Sequence, residues 1–303
     1  MIATTGFFDG VHCGHRLVID RLVSLARERG DKSLVVTFWP HPRAVLQDGA
    51  RELRLLSALE EKKSLLQGLG VDRVEVLDFT RRFASLTAEQ YLRDILQARF
   101  GVTTLLMGYD NRLGSDRLTA STLRSSVPGI DVIELPPLSF RAEPSSLSFR
   151  AEPQAESRNL EVSSTRIRNA LEIGDIAAAN GMLGYGYSLT GAVVAGNRLG
   201  RTIGFPTANM KLYEPLKLVP ARGVYAVQVQ VLGQTHRGMT NIGVRPTVGG
   251  TVPTIETHIL DFNEDIYGLP LRITFLRRIR NEVRFPSLDA LKRQLEKDRE
   301  ACR

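Results

Sequence analysis

Two histidines near the start of the chain, His12 and His15, stand three positions apart with Gly14 between them. They follow a short strand pattern and precede an amphipathic stretch over 17–26, which predicts a strand-to-helix turn at the histidines. Backbone N–H groups and the positive end of the helix dipole favour phosphate at such a turn. Imidazoles there can stabilise charge on a phosphate under attack, and the glycine leaves room for it.

These residues predict a nucleotide transfer site, and two alternatives stay open. The segment can be a simple helix cap, or it can be a metal site. The metal alternative has little support, because no acidic or cysteine cluster at ligand spacing accompanies the histidines.

A second segment that suits an anion begins with three hydroxyls, Ser163, Ser164 and Thr165, and continues with Arg166 and Arg168. A single serine before a helix is usually a cap, and a single surface arginine is usually solvated. Three hydroxyls and two arginines exceed what capping needs. We expect them to clamp a leaving pyrophosphate, with backbone N–H groups completing the shell.

A glycine-rich stretch over 196–209 lies in the second half of the chain, where no Walker P-loop pattern occurs. Its glycines, among them Gly196 and Gly204, let backbone N–H groups approach an anion. Thr207 and Asn209 offer neutral oxygens for a hydrated Mg²⁺ ion. The alternative is an ordinary turn between two strands.

One carboxylate, Glu256, lies in a strand pattern over 254–260. Alternate residues of a strand face one side, so Glu256, His258 and Leu260 should point together. A carboxylate among apolar neighbours can take the proton of an alcohol that attacks the γ-phosphate of ATP. The alternative is a surface glutamate.

The first half of the chain alternates strand and helix patterns, which predicts βαβ units and a parallel sheet with its ligands beyond the carboxyl ends of the strands. Capping boxes are expected at Ser57 with Glu60 and at Thr87 with Gln90. The strands are predicted at 33–38, 71–79, 103–107 and 130–135.

After about residue 184 the pattern changes to β-branched runs separated by Gly, Pro and Asn, which predicts an antiparallel barrel or sandwich. We therefore expect two domains, 1–183 and 184–303. A helix over 287–299, capped by Ser287, closes the chain. Before the boundary, Ser-Phe-Arg-Ala-Glu-Pro occurs at 139–144 and again at 148–153, which indicates a duplication within a loop. The strands are predicted at 188–194, 224–231, 254–260 and 271–275.

The composition fits two globular domains: 303 residues, 43% hydrophobic and 24% charged. The net charge of +7 favours polyanions, but no basic block or basic-aromatic run accompanies it, so we expect no nucleic-acid partner. The cysteines Cys13 and Cys302 are far apart, which excludes a disulfide framework and fits a reducing cytoplasm. No signal peptide and no membrane-spanning run is recognisable.

The histidine turn, its Phe8-Asp9-Gly10-Val11 context, the Thr-Phe-x-Pro-His-Pro segment over 37–42 and the Ser-Ser-Thr-x-Ile-Arg segment resemble the adenylyltransferase domain of bacterial bifunctional riboflavin kinase/FMN adenylyltransferases. The resemblance implies a Rossmann-like α/β nucleotidylyltransferase fold. It also implies roles for residues in this domain. His12 and His15 are catalytic; Gly14, Asp110, Ser163, Ser164, Thr165 and Arg168 bind the ATP phosphates; Phe7 and Asp9 bind the flavin.

One segment departs from that family. Its relatives usually read Gly-x-Asp-Phe-x-Phe-Gly after the fourth strand, whereas Asn111 and Leu113 replace both aromatics here. The packing around the nucleotide or flavin is therefore expected to differ. An alternative follows, a riboflavin kinase whose adenylyltransferase domain is weakened or inactive.

The second half resembles the riboflavin kinase domain of the same family in the order and spacing of Gly-Phe-Pro-Thr-Ala-Asn, Gly-Val-Tyr-Ala, Asn-Ile-Gly and the Glu256 strand. This likeness implies a six-stranded Greek-key β-barrel with a C-terminal helix. It assigns Glu256 as the base. Gly196, Arg201, Gly204, Thr207 and Asn209 are expected at the ATP phosphates, Thr207 and Asn209 at Mg²⁺, and Asn241, His258 and Arg280 at the flavin.

The whole resemblance implies an enzyme that phosphorylates riboflavin to FMN with ATP and adenylylates FMN to FAD, releasing pyrophosphate. Its partners would be riboflavin, FMN, ATP and Mg²⁺, in a cytoplasmic monomer or weak homo-oligomer. Two other readings stay open from the residues alone: a nucleotidylyltransferase with another acceptor, and a basic RNA-binding protein on a degenerate enzyme scaffold.

Overall fold

The computed structural model describes residues 1–46, 53–108, 111–124, 127–136, 162–196, 199–247 and 250–302. By contacts the chain divides into two compact units, Met1–Ser163 and Ser164–Arg303. The duplicated segment at 139–153 lies outside the described residues.

The first unit is built on five parallel strands in the order β3-β2-β1-β4-β5. This order places β1 at the centre, so the turn after β1 opens at the middle of the carboxyl edge, where parallel sheets bind their ligands. The strands are β1 (Ile2–Thr5), β2 (Ser33–Trp39), β3 (Arg73–Asp78), β4 (Thr104–Met107) and β5 (Asp131–Glu134).

Successive strand residues enter two different cores, as the pleat requires. Ala3 packs with Leu105 on one face of the sheet, against a π-helical segment over Tyr91–Gln97. Ile2 packs with Leu106 on the other face, against α1. The predicted α/β architecture is confirmed. The helices of this unit are α1 (Cys13–Glu28), α2 (Pro42–Leu46), α3 (Leu59–Gly68), α4 (Arg81–Ala84), α5 (Ala88–Gln90) and α6 (Ala120–Leu123).

The two expected capping boxes have different outcomes. Thr87 and Gln90 form one, each side chain pairing with the backbone N–H of the other residue. The box of Ser57 with Glu60 is wrong, because α3 begins at Leu59 and the N–H of Ala58 donates to Glu61 at 2.9 Å. The hydroxyl of Ser57 instead accepts from the N–H of Gly10 at 2.9 Å.

The second unit holds a closed barrel of six antiparallel strands in the order β10-β7-β6-β11-β8-β9, with β9 pairing back onto β10. The barrel and the closing helix α10 are confirmed, and the hydroxyl of Ser287 caps α10 through the N–H of Ala290 at 3.2 Å. The strands are β6 (Ser188–Val194), β7 (Ala208–Leu212), β8 (Gly223–Val231), β9 (Gln234–Thr247), β10 (Gly250–Ile259) and β11 (Pro270–Arg280). The helices are α7 (Ser164–Ile173), α8 (Ile176–Leu183), α9 (Leu199–Thr202) and α10 (Leu288–Cys302).

Helices α7 and α8 cluster with the barrel, although the division expected at 183/184 places them with the first half. The N–H of Ala221 donates to the carbonyl of Leu171 at 2.9 Å, and Nη1 of Arg278 donates to that of Ile173 at 2.9 Å. The boundary at 183/184 between the two catalytic domains stays a prediction.

Tyr187, the residue before β6, anchors this end of the barrel. Its side chain is fully buried, and its hydroxyl donates to the carbonyl of Leu218 at 2.7 Å. Its ring stacks near Phe275, with centroids 6.3 Å apart. The hydroxyl therefore satisfies a carbonyl that the apolar ring would otherwise keep from water.

Tyr187→Phe should lower the free energy of unfolding by about 1–3 kcal/mol, because it leaves the Leu218 carbonyl without its donor. The urea midpoint measured by circular dichroism tests this. Tyr213→Phe is the matched control, since Tyr213 is 58% exposed and should change stability by less than about 0.5 kcal/mol. Equal midpoints for the two variants would contradict the expected contribution of the hydrogen bond.

Candidate functional site

The turn between β1 and α1 has an unusual backbone. Phe8, Gly10 and Val11 have φ angles of 51°, 78° and 38°, in the left-handed region, and one turn of 3-10 helix spans Asp9–Val11. Residues other than glycine adopt this conformation only where surrounding contacts enforce it, often at functional sites. The turn places His12 at the N-cap of α1.

The contacts that enforce the turn come from Asp9. Its carboxylate is 4% exposed and accepts hydrogen bonds from the N–H groups of Leu56 at 3.0 Å and Ser57 at 3.1 Å. Asp9, expected at the flavin, is thus bonded to the segment before α3. Its position suits holding the turn in shape.

The structure brings His12 and His15 face to face. Their ring centroids are 3.6 Å apart with planes at 14°, and the N–H of His15 donates to Nδ1 of His12 at 3.4 Å. Nδ1 of His15 is buried and has no hydrogen-bond partner in the described structure. Burial, then the charges of His12 and Lys62, lower the pKa of His15 well below its ordinary value, so His15 is neutral at neutral pH.

Gly14 lies beside the histidine pair without a packing need for glycine. A Cβ there would meet the ring of His12 at 3.4 Å, which is ordinary contact. The missing side chain therefore leaves space over the start of α1. The ring of Phe7 packs edge-on against that of His41, with the two centroids 4.0 Å apart.

Lys62 is a residue near this turn that the sequence reading missed. It is 1% exposed, and its Nζ donates to the carbonyls of Phe7 at 3.0 Å and Phe38 at 3.4 Å. A signal existed in the sequence, because Lys62 falls between Leu59 and Leu66 on the apolar stripe of α3. A lysine in such a stripe is unusual.

The segment that departs from the family keeps its apolar packing at one position. Leu113 is 9% exposed and joins the core on the Tyr91 face of the sheet. Asn111 is exposed. Asp110 lies outside the described residues.

The residues predicted to clamp pyrophosphate lie on both sides of residue 163 in the sequence, where the first unit ends. Ser163 ends the first unit, while Ser164 begins α7 with Thr165 and Arg168 in its first turns. Ile167, Ala170 and Leu171 form the buried face of this helix. Thr165 is exposed and Arg168 half-buried.

In the barrel, the residues expected in the kinase share one row across the strands. Glu256 pairs with Asn209 on one side and with Asn241 on the other. Val224 pairs with Asn241 and also with Arg280. Strand pairing alone therefore aligns β7, β10, β9, β8 and β11 at one level, with four predicted site residues on it.

The row opens into a cavity of ≈ 320 Å³, which we call the Glu256 cavity. Glu256, Asn241 and Arg280 supply polar groups, and His258 supplies an imidazole whose pKa burial lowers. A largely apolar wall with a few convergent polar groups is typical of small-molecule sites. The other lining residues are Gly200, Ile203, Phe205, Thr207, Val224, Met239, Glu282, Val283, Phe285, Leu291 and Leu295.

A second cavity of ≈ 170 Å³, the Phe262 cavity, lies on the other side of β10. Thr257 and Ile259 line it, whereas Glu256 and His258 line the Glu256 cavity, as alternation along a strand requires. Thr207 lines both cavities. The remaining walls are Val193, Pro206, Ala208 and residues 262–267.

The glycine-rich stretch contributes Gly200 to the Glu256 cavity and Thr207 to both cavities, and it runs into β7. The imidazole Nδ1 of His258 donates to the carbonyl of Pro206 at 2.8 Å, which fixes the segment before Thr207. A Cβ at Gly196 would meet the amide of Asn209 at 2.2 Å, so only glycine leaves that amide its place. Gly204 has a φ of 83°. Arg201 belongs to α9, and its side chain is not described.

Arg280 is held by a residue that the sequence reading missed. Asp298 of α10, 1% exposed, receives hydrogen bonds from Nε of Arg280 at 3.0 Å and from Nη2 at 2.7 Å. Gln294 also donates to Asp298 at 2.9 Å. The separation of 18 residues gives no sequence pattern by which to find this pair.

No group of three or more His, Cys, Asp or Glu side chains in the described ranges of the chain could hold a metal ion. Within the same ranges, no helix has the length and apolar character needed to cross a membrane.

Comparison with known proteins covers both halves. A family model for FAD synthetase matches residues 1–148, and one for riboflavin kinase matches residues 183–303. A crystal structure from Streptococcus pneumoniae, described as a macrolide-efflux protein, matches with a TM-score of 0.88 and 34% identity over 99% of this chain and 93% of that chain.

Curated relatives match nearly end to end. The bifunctional riboflavin kinase/FMN adenylyltransferase of Escherichia coli K12 is 37% identical over 98% of this chain and 90% of its own length. Those of Pseudomonas fluorescens and Bacillus subtilis are 38% and 33% identical, over 100% and 99% of this chain and 92% and 90% of their own lengths. The chain therefore belongs to the bifunctional riboflavin kinase/FMN adenylyltransferase family.

Proposed function

We propose that this chain phosphorylates riboflavin to FMN with one ATP and adenylylates FMN to FAD with a second. The single observation that carries the kinase reaction is the barrel row, in which Asn209, Glu256, Asn241 and Arg280 share one level and three of them line one cavity. The stacked pair of His12 and His15 supports the adenylyltransferase reaction. Incubation with riboflavin, ATP and Mg²⁺, followed by chromatographic separation of FMN from FAD, tests both reactions together.

In the kinase reaction the flavin occupies the Glu256 cavity, whose apolar wall includes Phe205, Met239 and Phe285. Glu256 takes the proton of the ribityl 5′-hydroxyl as that oxygen attacks the γ-phosphorus. The bond from the γ-phosphorus to the β–γ bridging oxygen breaks, and ADP leaves. Asn241, His258 and Arg280 orient the flavin.

ATP occupies the Phe262 cavity in this scheme, with its γ-phosphate at Thr207. The position of Thr207 at the wall of both cavities supports the assignment, because the transferred group must pass from one to the other. Gly196, Arg201 and Gly204 belong to the segment that receives the phosphates.

Thr207 and Asn209 would hold Mg²⁺. Their neutral oxygens suit an ion that keeps several waters and takes its charged ligands from phosphate, and the close approach of Asn209 to Gly196 provides a fixed amide. When bound, the ion neutralises charge on the phosphates.

In the adenylyltransferase reaction a phosphate oxygen of FMN attacks the α-phosphorus of ATP, and the bond to the departing pyrophosphate breaks. His12 and His15 stabilise the charge that builds on the α-phosphate. Ser163, Ser164, Thr165 and Arg168 receive the pyrophosphate, with Gly14 and Asp110 completing the nucleotide site. Phe7 contacts the flavin, and Asp9 acts by holding the turn.

The alternative of an inactive adenylyltransferase is not favoured, since Leu113 keeps a buried apolar side chain where relatives carry an aromatic. The proposed partners are riboflavin, FMN and ATP, without nucleic acid or membrane. A cytoplasmic location and a monomer or weak homo-oligomer complete the proposal.

Glu256→Gln should lower the rate of FMN formation by about 10²- to 10⁴-fold, the usual contribution of a general base. FAD formation from supplied FMN should persist, because the adenylyltransferase residues lie elsewhere in the chain. Glu296→Gln, at an exposed position of α10, is the control for charge and should keep both rates. Equal loss of both activities in Glu256→Gln would contradict two independent sites.

Gly196→Ala should raise the Mg²⁺ concentration for half-maximal kinase activity by about tenfold or more, since the new Cβ displaces Asn209. Titration of Mg²⁺ at saturating ATP and riboflavin measures it. Gly181→Ala is the matched control, because a Cβ there meets nothing within 4 Å. An unchanged Mg²⁺ dependence would argue against Asn209 as a ligand.

His15→Ala should slow FAD formation from FMN by about 10²- to 10³-fold, as expected when one stabilising group of a transition state is lost. FMN formation from riboflavin should remain. Ser24→Ala, exposed on the same helix, should change neither rate. A kinase-dead His15 variant would show that the histidine turn is misassigned.

A further inference from the structure

The side chain of Lys62 is a buried cation that the reaction scheme leaves unused. It is 1% exposed, and among the described residues no carboxylate lies within the 4.0 Å of an ion pair with its Nζ. Its two hydrogen bonds go to the backbone carbonyls of Phe7 and Phe38. The Nζ atom also lies 4.0 Å from the centroid of the Phe7 ring, over its face.

These contacts join the ends of two neighbouring strands. Phe7 follows β1 and Phe38 belongs to β2, so one ammonium group of α3 links both at the carboxyl edge of the sheet. The hydroxyl of Thr37 donates to the same Phe7 carbonyl at 3.1 Å. Phe7 immediately precedes the left-handed turn that leads to His12.

Packing alone does not explain a lysine at this position. A leucine or methionine would continue the apolar stripe of α3, whereas burial of an ammonium group without an ion-paired carboxylate carries a large desolvation cost. Burial lowers the pKa of Lys62 to about 8, and the nearby charge of Asp9 opposes that shift. Carbonyl dipoles and a ring face offset the charge only in part.

The charged and titratable groups around Lys62 come from two elements. The turn contributes Asp9, and α1 contributes His15, whose own pKa is lowered by burial, His12 and Lys62. Asp9 already accepts the backbone N–H groups of Leu56 and Ser57. The positive charge of Lys62 therefore extends toward the histidine pair.

We propose that Lys62 is a positioning residue of the adenylyltransferase site, a buried cation without an ion-paired carboxylate whose charge is balanced by the phosphate chain of ATP bound at the turn of His12 and His15. The inference rests on the proposed function of that turn. Lys62 does not touch the substrate in this scheme. It acts through its charge and through the Phe7 carbonyl that it fixes.

Protonation of Lys62 makes the binding of ATP depend on pH. Anionic ATP binds more tightly to the protein with a protonated Lys62, so binding weakens as the pH rises through the pKa of about 8 that the free protein has. The KM for ATP in FAD formation should therefore rise above pH 8. Riboflavin phosphorylation by the same chain should lack this dependence, because Lys62 lies in the other unit.

Two variants of full-length protein separate charge from hydrogen bonding. Lys62→Met removes both, and Lys62→Gln keeps a donor for the Phe7 carbonyl without the charge. At pH 7 Lys62→Gln should raise the KM for ATP in FAD formation by about tenfold, with a smaller change in kcat, and Lys62→Met should raise it further because it also frees the Phe7 carbonyl; both should abolish the rise above pH 8. Lys63→Met is the matched control, since Lys63 pairs with Glu60 at the surface and should leave KM and pH profile unchanged.

An unchanged KM in a folded Lys62→Gln variant would overturn the proposal, and so would a KM of the unaltered protein that is flat between about pH 7 and 9.5. The pH series needs no variant, so it decides even where both substitutions prevent folding. Parallel assay of His15→Ala distinguishes the two levels. Loss of FAD formation in His15→Ala with no effect of Lys62 refutes only the role of Lys62, whereas an active His15→Ala refutes the site itself.

Discussion

The register of the barrel strands is the constraint on which the kinase site depends. Glu256 reaches its cavity only because it pairs with Asn209 and Asn241 at the same level. A slip of one residue would turn Thr257 toward the Glu256 cavity and bury the carboxylate on the side that Thr257 now occupies. The buried hydrogen bond between the hydroxyls of Thr240 and Thr257, at 2.8 Å, helps to specify this register from the opposite face.

In the first unit the main constraint is electrostatic, because two charged side chains are buried at the carboxyl edge of the sheet. Backbone groups do this work: N–H groups of Leu56 and Ser57 surround the Asp9 carboxylate, and carbonyls of Phe7 and Phe38 surround the Lys62 ammonium. Backbone groups at the ends of strands and helices move less than side chains, so these hydrogen bonds hold the charged groups in fixed positions. A left-handed turn at Phe8 and Val11 is sustained by such contacts, and its strain is offset outside the turn itself.

The sequence predicted those parts of the fold that repeat a local pattern. Both sheets were found, because short apolar runs alternate with helices in the first half and β-branched runs alternate with turns in the second. Strand β6 matches its prediction over Ser188–Val194. Strands β7 and β9 were missed. In β7, Asn209 and Lys211 interrupt the apolar pattern, and polar residues and glycines fill most of β9. The turn at the histidines was predicted, but α1 begins at Cys13, four residues before the predicted stretch over 17–26. His12 caps it, as the helix-cap alternative allowed.

Local sequence patterns identify the residues that do chemistry in the candidate sites, but not the residues that position them. Sequence motifs identified Glu256 and the histidine pair, because residue type and spacing are enough to indicate the chemistry of these side chains. The residues that hold site residues in place belong to no such motif. Asp298 binds Arg280, which lies 18 positions away. Ser57 was assigned to a helix cap, although its hydroxyl accepts a hydrogen bond from the turn 47 positions away. In the sequence, a buried charged residue is recognisable only as a charged side chain that interrupts an apolar helix stripe, as Lys62 does. Such breaks indicate where tertiary structure must supply a partner, and in a site for anionic substrates that partner can be the substrate.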